Sequence, residues 1–139
     1  MSDVIRLWVV RSALLVFGVA LVAICVIADR GEGGRYWGFL NAIPFGDKLG
    51  HVGLVGTLAL LLNLSLAGRK APGRFRFALL GSVVVLVVMS IDEMSQVFLP
   101  HRNCDWFDWL ANLAGIAAAD VAARWLGRGK MCPYPRKYT

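Results

Sequence analysis

The chain is expected to be all-α, an integral membrane bundle of four transmembrane helices with the N- and C-termini cytoplasmic. Three observations predict this. Apolar residues make up 58% of its 139 residues, with a mean hydropathy of +0.61, which is too apolar for an ordinary soluble domain. They gather into four segments, residues 8–28, 49–67, 75–91 and 106–126, each close to the roughly 20 residues a helix needs to cross a bilayer. The basic residues fall at alternate joints: Arg6 and Arg11 open the first segment, and Arg69, Lys70, Arg74 and Arg76 separate the second from the third. Arg124, Arg128, Lys130, Arg136 and Lys137 close the chain. An even number of crossings puts these regions on one side, which the positive-inside rule makes cytoplasmic.

The first segment is expected to be a retained span, longer than the apolar stretch of a cleaved signal peptide, with Arg11 snorkelling to the interface. The loop after it, residues 29–46, is rich in glycine, carries Pro44 and shows no sign of a separate folded unit. Tyr36, Trp37 and Phe39 are placed at the membrane interface. The inner loop around residues 68–74 is short and contains Pro72 and Gly73, so the spans it joins should be antiparallel neighbours. The fourth segment is the most polar, with Asp108, Asp120 and Arg124, but Trp106, Trp109 and Trp125 stand where interfacial anchors belong. Asp120 is expected to pair with Arg124, four residues on. The division is a membrane domain over residues 1–126 and a basic cytoplasmic tail over 127–139.

A net charge of +6 raises nucleic acid as a partner, but a basic inner belt facing anionic lipid explains it, and nucleic-acid binding is rejected. Cys25, Cys104 and Cys132 fall in three different regions and give no disulfide framework. Ala111, Gly115, Ala119 and Ala123 form a small-residue stripe on the fourth segment, and Gly50, Gly53 and Gly56 thin one face of the second. Helix packing within one subunit is the favoured use of both, with a homo-oligomer left open.

The acidic residues cluster at the other two joints. Asp47 and His51 are four apart and share one helical face, with Lys48 beside them. Asp92 and Gln96 repeat that spacing, and Glu93 is one turn from Gln96. Asp105, Asp108 and Asn112 follow at steps of three and four. Three helix ends therefore bring polar faces to one level. A charge at membrane depth costs about 2.5–3.5 kcal/mol on insertion scales, so these groups should face the bundle interior. Arg102, whose planar guanidinium binds two oxygens at once, is the first expected cation for them and Lys48 the second. A hydrogen-bonded clasp and a pocket for a polar ligand or headgroup both fit. In the pocket reading His51 transfers protons and Glu93 or Asp92 acts as base. A divalent cation on oxygen ligands is a third option, but no tight ligand motif supports it, and neither metal nor cofactor is expected.

These residues resemble the VanZ-like family of small bacterial membrane proteins. The resemblance is carried by Asp47-Lys48-x-x-His51 opening a span, then Asp92-Glu93-x-x-Gln96-x-Phe98-x-Pro100-x-Arg102, then Asp105-x-x-Asp108-x-x-x-Asn112-x-x-Gly115. It covers about half the chain and is specific through the order and spacing of the three fragments. The family is named for a determinant of teicoplanin resistance, so the resemblance implies a cell-envelope role.

The expected function is thus that of a VanZ-like multi-pass protein of the bacterial inner membrane, affecting glycopeptide susceptibility through an outward-facing pocket. That pocket is expected to use Asp47, Lys48, His51, Glu93, Gln96, Arg102, Asp105, Asp108 and Asn112. Expected partners are membrane lipid and a lipid-linked envelope precursor or a glycopeptide. One alternative is a hydrolase or transferase acting on a lipid-linked headgroup, with His51, Glu93 and Asp92 as its acid-base groups. Another is a structural protein of a membrane assembly.

Overall fold

Every backbone N–H and C=O in a membrane must be satisfied within its own segment or by a protein neighbour, which makes long proline-free apolar runs helical. The computed structural model describes residues 3–99 and 105–128. Its helices are α1 (Asp3–Asp29), a short α2 (Gly33–Trp37), α3 (Gly46–Ser65), α4 (Leu80–Ser95) and α5 (Trp106–Arg128). Short 3-10 turns follow α2 (Gly38–Ala42) and α4 (Gln96–Phe98), and a third, Gly73–Phe75, lies between α3 and α4. Among the described residues, Pro44 and Pro72 both fall outside the long helices. Among the described residues there is no strand, only an isolated antiparallel bridge between Lys70 and Leu79.

Three helical segments are long and apolar enough to cross a membrane: Asp3–Asp29, Gly46–Ser65 and Leu80–Phe98. α5 has the length, at 23 residues, but Asp108, Asp120 and Arg124 keep it out of that group by composition. The third apolar segment also begins later than its hydropathy suggests. Residues 69–80 form a tight turn in which Ala71 N–H donates to Ala78 O and Leu80 N–H to Arg69 O, so α4 starts at Leu80 rather than at Phe75. The glycine-rich loop after α1 is not wholly irregular, since α2 and the turn after it lie there.

Two helices end in the same way. At the end of α1, Glu32 N–H donates to Ile27 O and Gly31 N–H to Ala28 O, with Gly31 left-handed at φ 77°. At the end of α3, Gly68 N–H donates to Asn63 O and Ala67 N–H to Leu64 O. Both are Schellman caps, but the second places alanine at the left-handed position, φ 52°. Ala67→Gly should therefore stabilise the protein by about 0.5–1 kcal/mol, read as a higher melting temperature in detergent. A lower one would show that this turn carries no strain.

The long helices alternate in direction. α1 packs antiparallel on α3, and α4 runs antiparallel to both α3 and α5, so α3 and α5 are parallel. They form the most extensive helix pair. Their backbones meet at Gly56 and Gly115: a Cβ on Gly115 would lie 2.5 Å from Val52 O, and one on Gly56 3.1 Å from Gly115 O. Ala111, Ala119 and Ala123 are buried along the same stripe, which is thus used within the chain. Gly50 and Gly53 would meet nothing with an added Cβ. The core is small, built from Val55, Ala59, Val85, Met89, Ile116 and Ala119.

Large apolar side chains face outward along α1 and α4. Exposed aromatics gather at both ends, Trp8, Phe75, Phe77 and Trp125 at one, and Phe39, Phe45, Phe98, Trp106 and Phe107 at the other. Both groups suit membrane-water interfaces. Trp109 is not among them. It is half-buried, and its Nε1 donates to Ser90 Oγ at 3.0 Å, joining α5 to α4.

Candidate functional site

Polar networks tie the bundle at both ends, and each begins from an unfinished helix N-terminus. At the end nearest the α3–α4 turn, α4 has Leu79 as its N-cap residue, with no side-chain cap of its own. Its donors are satisfied by other helices. Asn63 Oδ1 accepts Ser82 N–H at 3.0 Å, and Asp120 Oδ1 accepts Leu79 N–H at 2.7 Å and the Ser82 hydroxyl at 2.9 Å. Asn63 Nδ2 donates to Ser82 Oγ. Arg124 completes the group, with Nε on Asp120 Oδ2 at 2.5 Å and Nη2 on Phe77 O. The Asp120–Arg124 pair is the one its spacing predicts. The participation of Asn63 and Ser82 is not visible in spacing, because it crosses between helices.

The other end holds the residues singled out in sequence. Asp105 stands just before α5, and its Oδ1 accepts Phe107 N–H at 2.9 Å, an N-cap. Glu93, buried on α4, accepts Asp105 N–H on Oε1 at 3.0 Å. This end of α5 is thus also completed by a side chain from a neighbouring helix. Gln96 Nε2 lies 3.4 Å from both Glu93 Oε2 and Asp92 Oδ2.

Lys48 is the hub. Its Nζ donates to Asp47 Oδ2 at 2.9 Å, Asp105 Oδ2 at 2.7 Å and Asp108 Oδ1 at 2.5 Å. The Lys48 hydrogen bond, helped by Phe107 N–H, holds the Asp105 carboxyl below the usual aspartate value of 3.8. Deeper in, His51 Nδ1 is 3.0 Å from Asn112 Oδ1, and His51 Nε2 is 3.7 Å from Asp108 Oδ2. Asn112 is buried, and its Nδ2 has no partner as placed. Turning that amide lets Nδ2 donate to Nδ1, with the ring hydrogen on Nε2 facing Asp108.

These groups front a cavity of about 820 Å³ between α1, α3, α4 and α5. Asp47, Lys48, His51, Asp92, Gln96, Asp105 and Asp108 line it, while Glu93 and Asn112 stand behind the wall. Arg102, with His101 and Cys104, lies outside the described residues, as does the tail beyond residue 128. No group of three His, Cys, Asp or Glu among the described residues is arranged to hold a metal ion.

Sequence reasoning missed the opposite wall. Leu21, Ile24, Cys25 and Ala28 of α1 line it, with Leu54 and Met89, and Gly31, Gly33, Gly34, Trp37 and Leu40 close it above. The α1 residues recur at helical spacing, but any membrane helix offers that pattern. α1 and α4 are not among the closely packed helix pairs.

No family model, no curated protein and no solved structure matches the chain.

Proposed function

We propose that the chain is a VanZ-like protein of the bacterial cell envelope that crosses the inner membrane four times. In this reading its basic end is cytoplasmic, its cavity opens outward, and it affects glycopeptide susceptibility by binding the head of an envelope amphiphile. The observation that carries the reading is the cavity itself, carboxylate-walled on α3, α4 and α5 and apolar on α1. That is the division an amphiphile requires. α5 serves as the fourth crossing because its charges are paired: Asp108 with Lys48, and Asp120 with Arg124. Paired charges facing a bundle are the form in which membranes tolerate them.

A comparison of the two ends favours binding over a pure clasp. The Asn63–Ser82–Asp120 network closes on the buried Asn63 and Ser82 and the half-buried Asp120, whereas the Lys48 network fronts open volume. Acid-base catalysis is less favoured, because the Glu93 carboxylate is spent on Asp105 N–H behind the cavity wall.

The test is teicoplanin susceptibility of cells expressing the wild type, Leu21→Trp, which fills the apolar wall, and Asp92→Asn, at matched membrane abundance. The expected result is that the wild type raises the inhibitory concentration and Leu21→Trp returns it to the vector level. No effect of the wild type removes the glycopeptide role.

A further inference from the structure

The turn between α3 and α4 lies outside the cavity, and its backbone is fixed. Pro72 is extended and Gly73 left-handed at φ 62°, angles those two residues accept without strain. Ala71 N–H donates to Ala78 O at 3.1 Å and Leu80 N–H to Arg69 O at 2.8 Å, which joins the two arms. Ala71 and Leu79 are buried beneath. α5 clamps the second arm, through Arg124 Nη2 on Phe77 O at 2.6 Å and Asp120 Oδ1 on Leu79 N–H. On the outer face cation and ring alternate: Arg74, Phe75, Arg76 and Phe77 are all exposed, as are Arg69 and Lys70 on the first arm. The two rings stand 6.3 Å apart, and Phe77 is 74% exposed. Because the backbone under them is held, the fold itself presents these rings. Among the described residues none of the four cations pairs with a carboxylate, and those residues include all nine Asp and Glu side chains of the chain.

We propose that this turn is a headgroup site for anionic phospholipid, with Arg69, Lys70, Arg74 and Arg76 on the phosphate and Phe75 and Phe77 set among the upper acyl chains. The turn joins Gly46–Ser65 to Leu80–Phe98, two segments long and apolar enough to cross a membrane, so it stands where bilayer meets water. Guanidinium groups bind phosphate oxygens in pairs, and clustered cations beside a membrane span attract anionic headgroups. The rings decide between partners. A soluble phosphate would satisfy the cations and leave two phenylalanines in water, whereas a lipid covers both kinds of group. A general basic belt would need neither a fixed backbone nor rings between its charges. The site is independent of the cavity and of whatever the cavity binds.

The experiment titrates the full chain, purified in a nonionic detergent, with phosphatidylglycerol, phosphatidylcholine and glycerol phosphate, and counts bound lipid by native mass spectrometry. Phosphatidylglycerol is expected to bind, and the other two to bind at least about tenfold more weakly. Arg74→Gln combined with Arg76→Gln should weaken phosphatidylglycerol about tenfold or more, with the melting temperature in detergent alone unchanged. Arg6→Gln combined with Arg11→Gln removes the same charge from α1 and should change that affinity about threefold or less. Phe75→Ser combined with Phe77→Ser should weaken phosphatidylglycerol and leave glycerol phosphate as it was. Equal losses in the two arginine pairs, or equal binding of phosphatidylcholine, overturn the site in favour of a general basic belt. Glycerol phosphate binding as tightly as phosphatidylglycerol, or full lipid affinity without the two rings, overturns the lipid in favour of a soluble phosphate. Displacement of phosphatidylglycerol by polyglutamate overturns it in favour of an acidic protein.

Discussion

Gly115→Val is expected to cost about 2–3 kcal/mol and to lower the melting temperature in detergent more than any other single change at the α3–α5 seam. The atoms its side chain would strike are backbone, Val52 O and Gly56 N, and backbone inside a helix cannot swing aside. The helices must part instead, which also pulls Lys48 from Asp105 and Asp108 on the far side of the crossing. Gly53→Ala is the control on α3, because a Cβ there meets nothing within 4 Å. It should keep or slightly raise the melting temperature, since alanine is the better helix former. Equal behaviour of the two variants would mean that α3 and α5 do not approach at Gly115.

Lys48→Met should cost about 2 kcal/mol. Breaking a buried ion pair costs about 3–5 kcal/mol, but Asp108 keeps 15% of its side chain exposed and Lys48 22%, so screening reduces that figure. Adding Asp108→Asn should recover more than half of the loss, because the charge left without a partner goes with it. A double variant as unstable as the single one would show that packing of the lysine stem matters more than its charge. The network also sets a pH dependence. Asp105 is held below 3.8 in the folded state, so its contribution is complete above that value and is lost as the pH falls toward the depressed one. Melting temperature should drop across that window in the wild type and drop less in Lys48→Met.

Helical content and the first three apolar segments were legible in the sequence because hydropathy over some 20 residues has one cheap solution in lipid. Boundaries were less so. Where α4 begins depends on Asn63 and Asp120 reaching its first turn, and no local signal near Leu80 reports them. At the site, spacing correctly placed Asp105, Asp108 and Asn112 on one face, toward Lys48 and His51. It named two cations for them, Arg102 and Lys48. Lys48 holds three of the carboxylates, and Arg102 lies outside the described residues. Spacing could not separate Asp92 from Glu93. Adjacent residues on a helix point about 100° apart, so one faces the cavity and the other α5, and only the packing decides which.

The borrowed caps carry a consequence for biogenesis. The opening turn of α4 is completed by Asp120, about 40 positions further along the polypeptide, and that of α5 by Glu93, synthesised before it. Until translation has delivered residue 120, the opening turn of α4 lacks the acceptor that Asp120 gives the Leu79 N–H. Insertion and closure of α3, α4 and α5 should therefore be a single event late in synthesis, and a chain truncated before Asp120 should be cleared by quality control rather than accumulate.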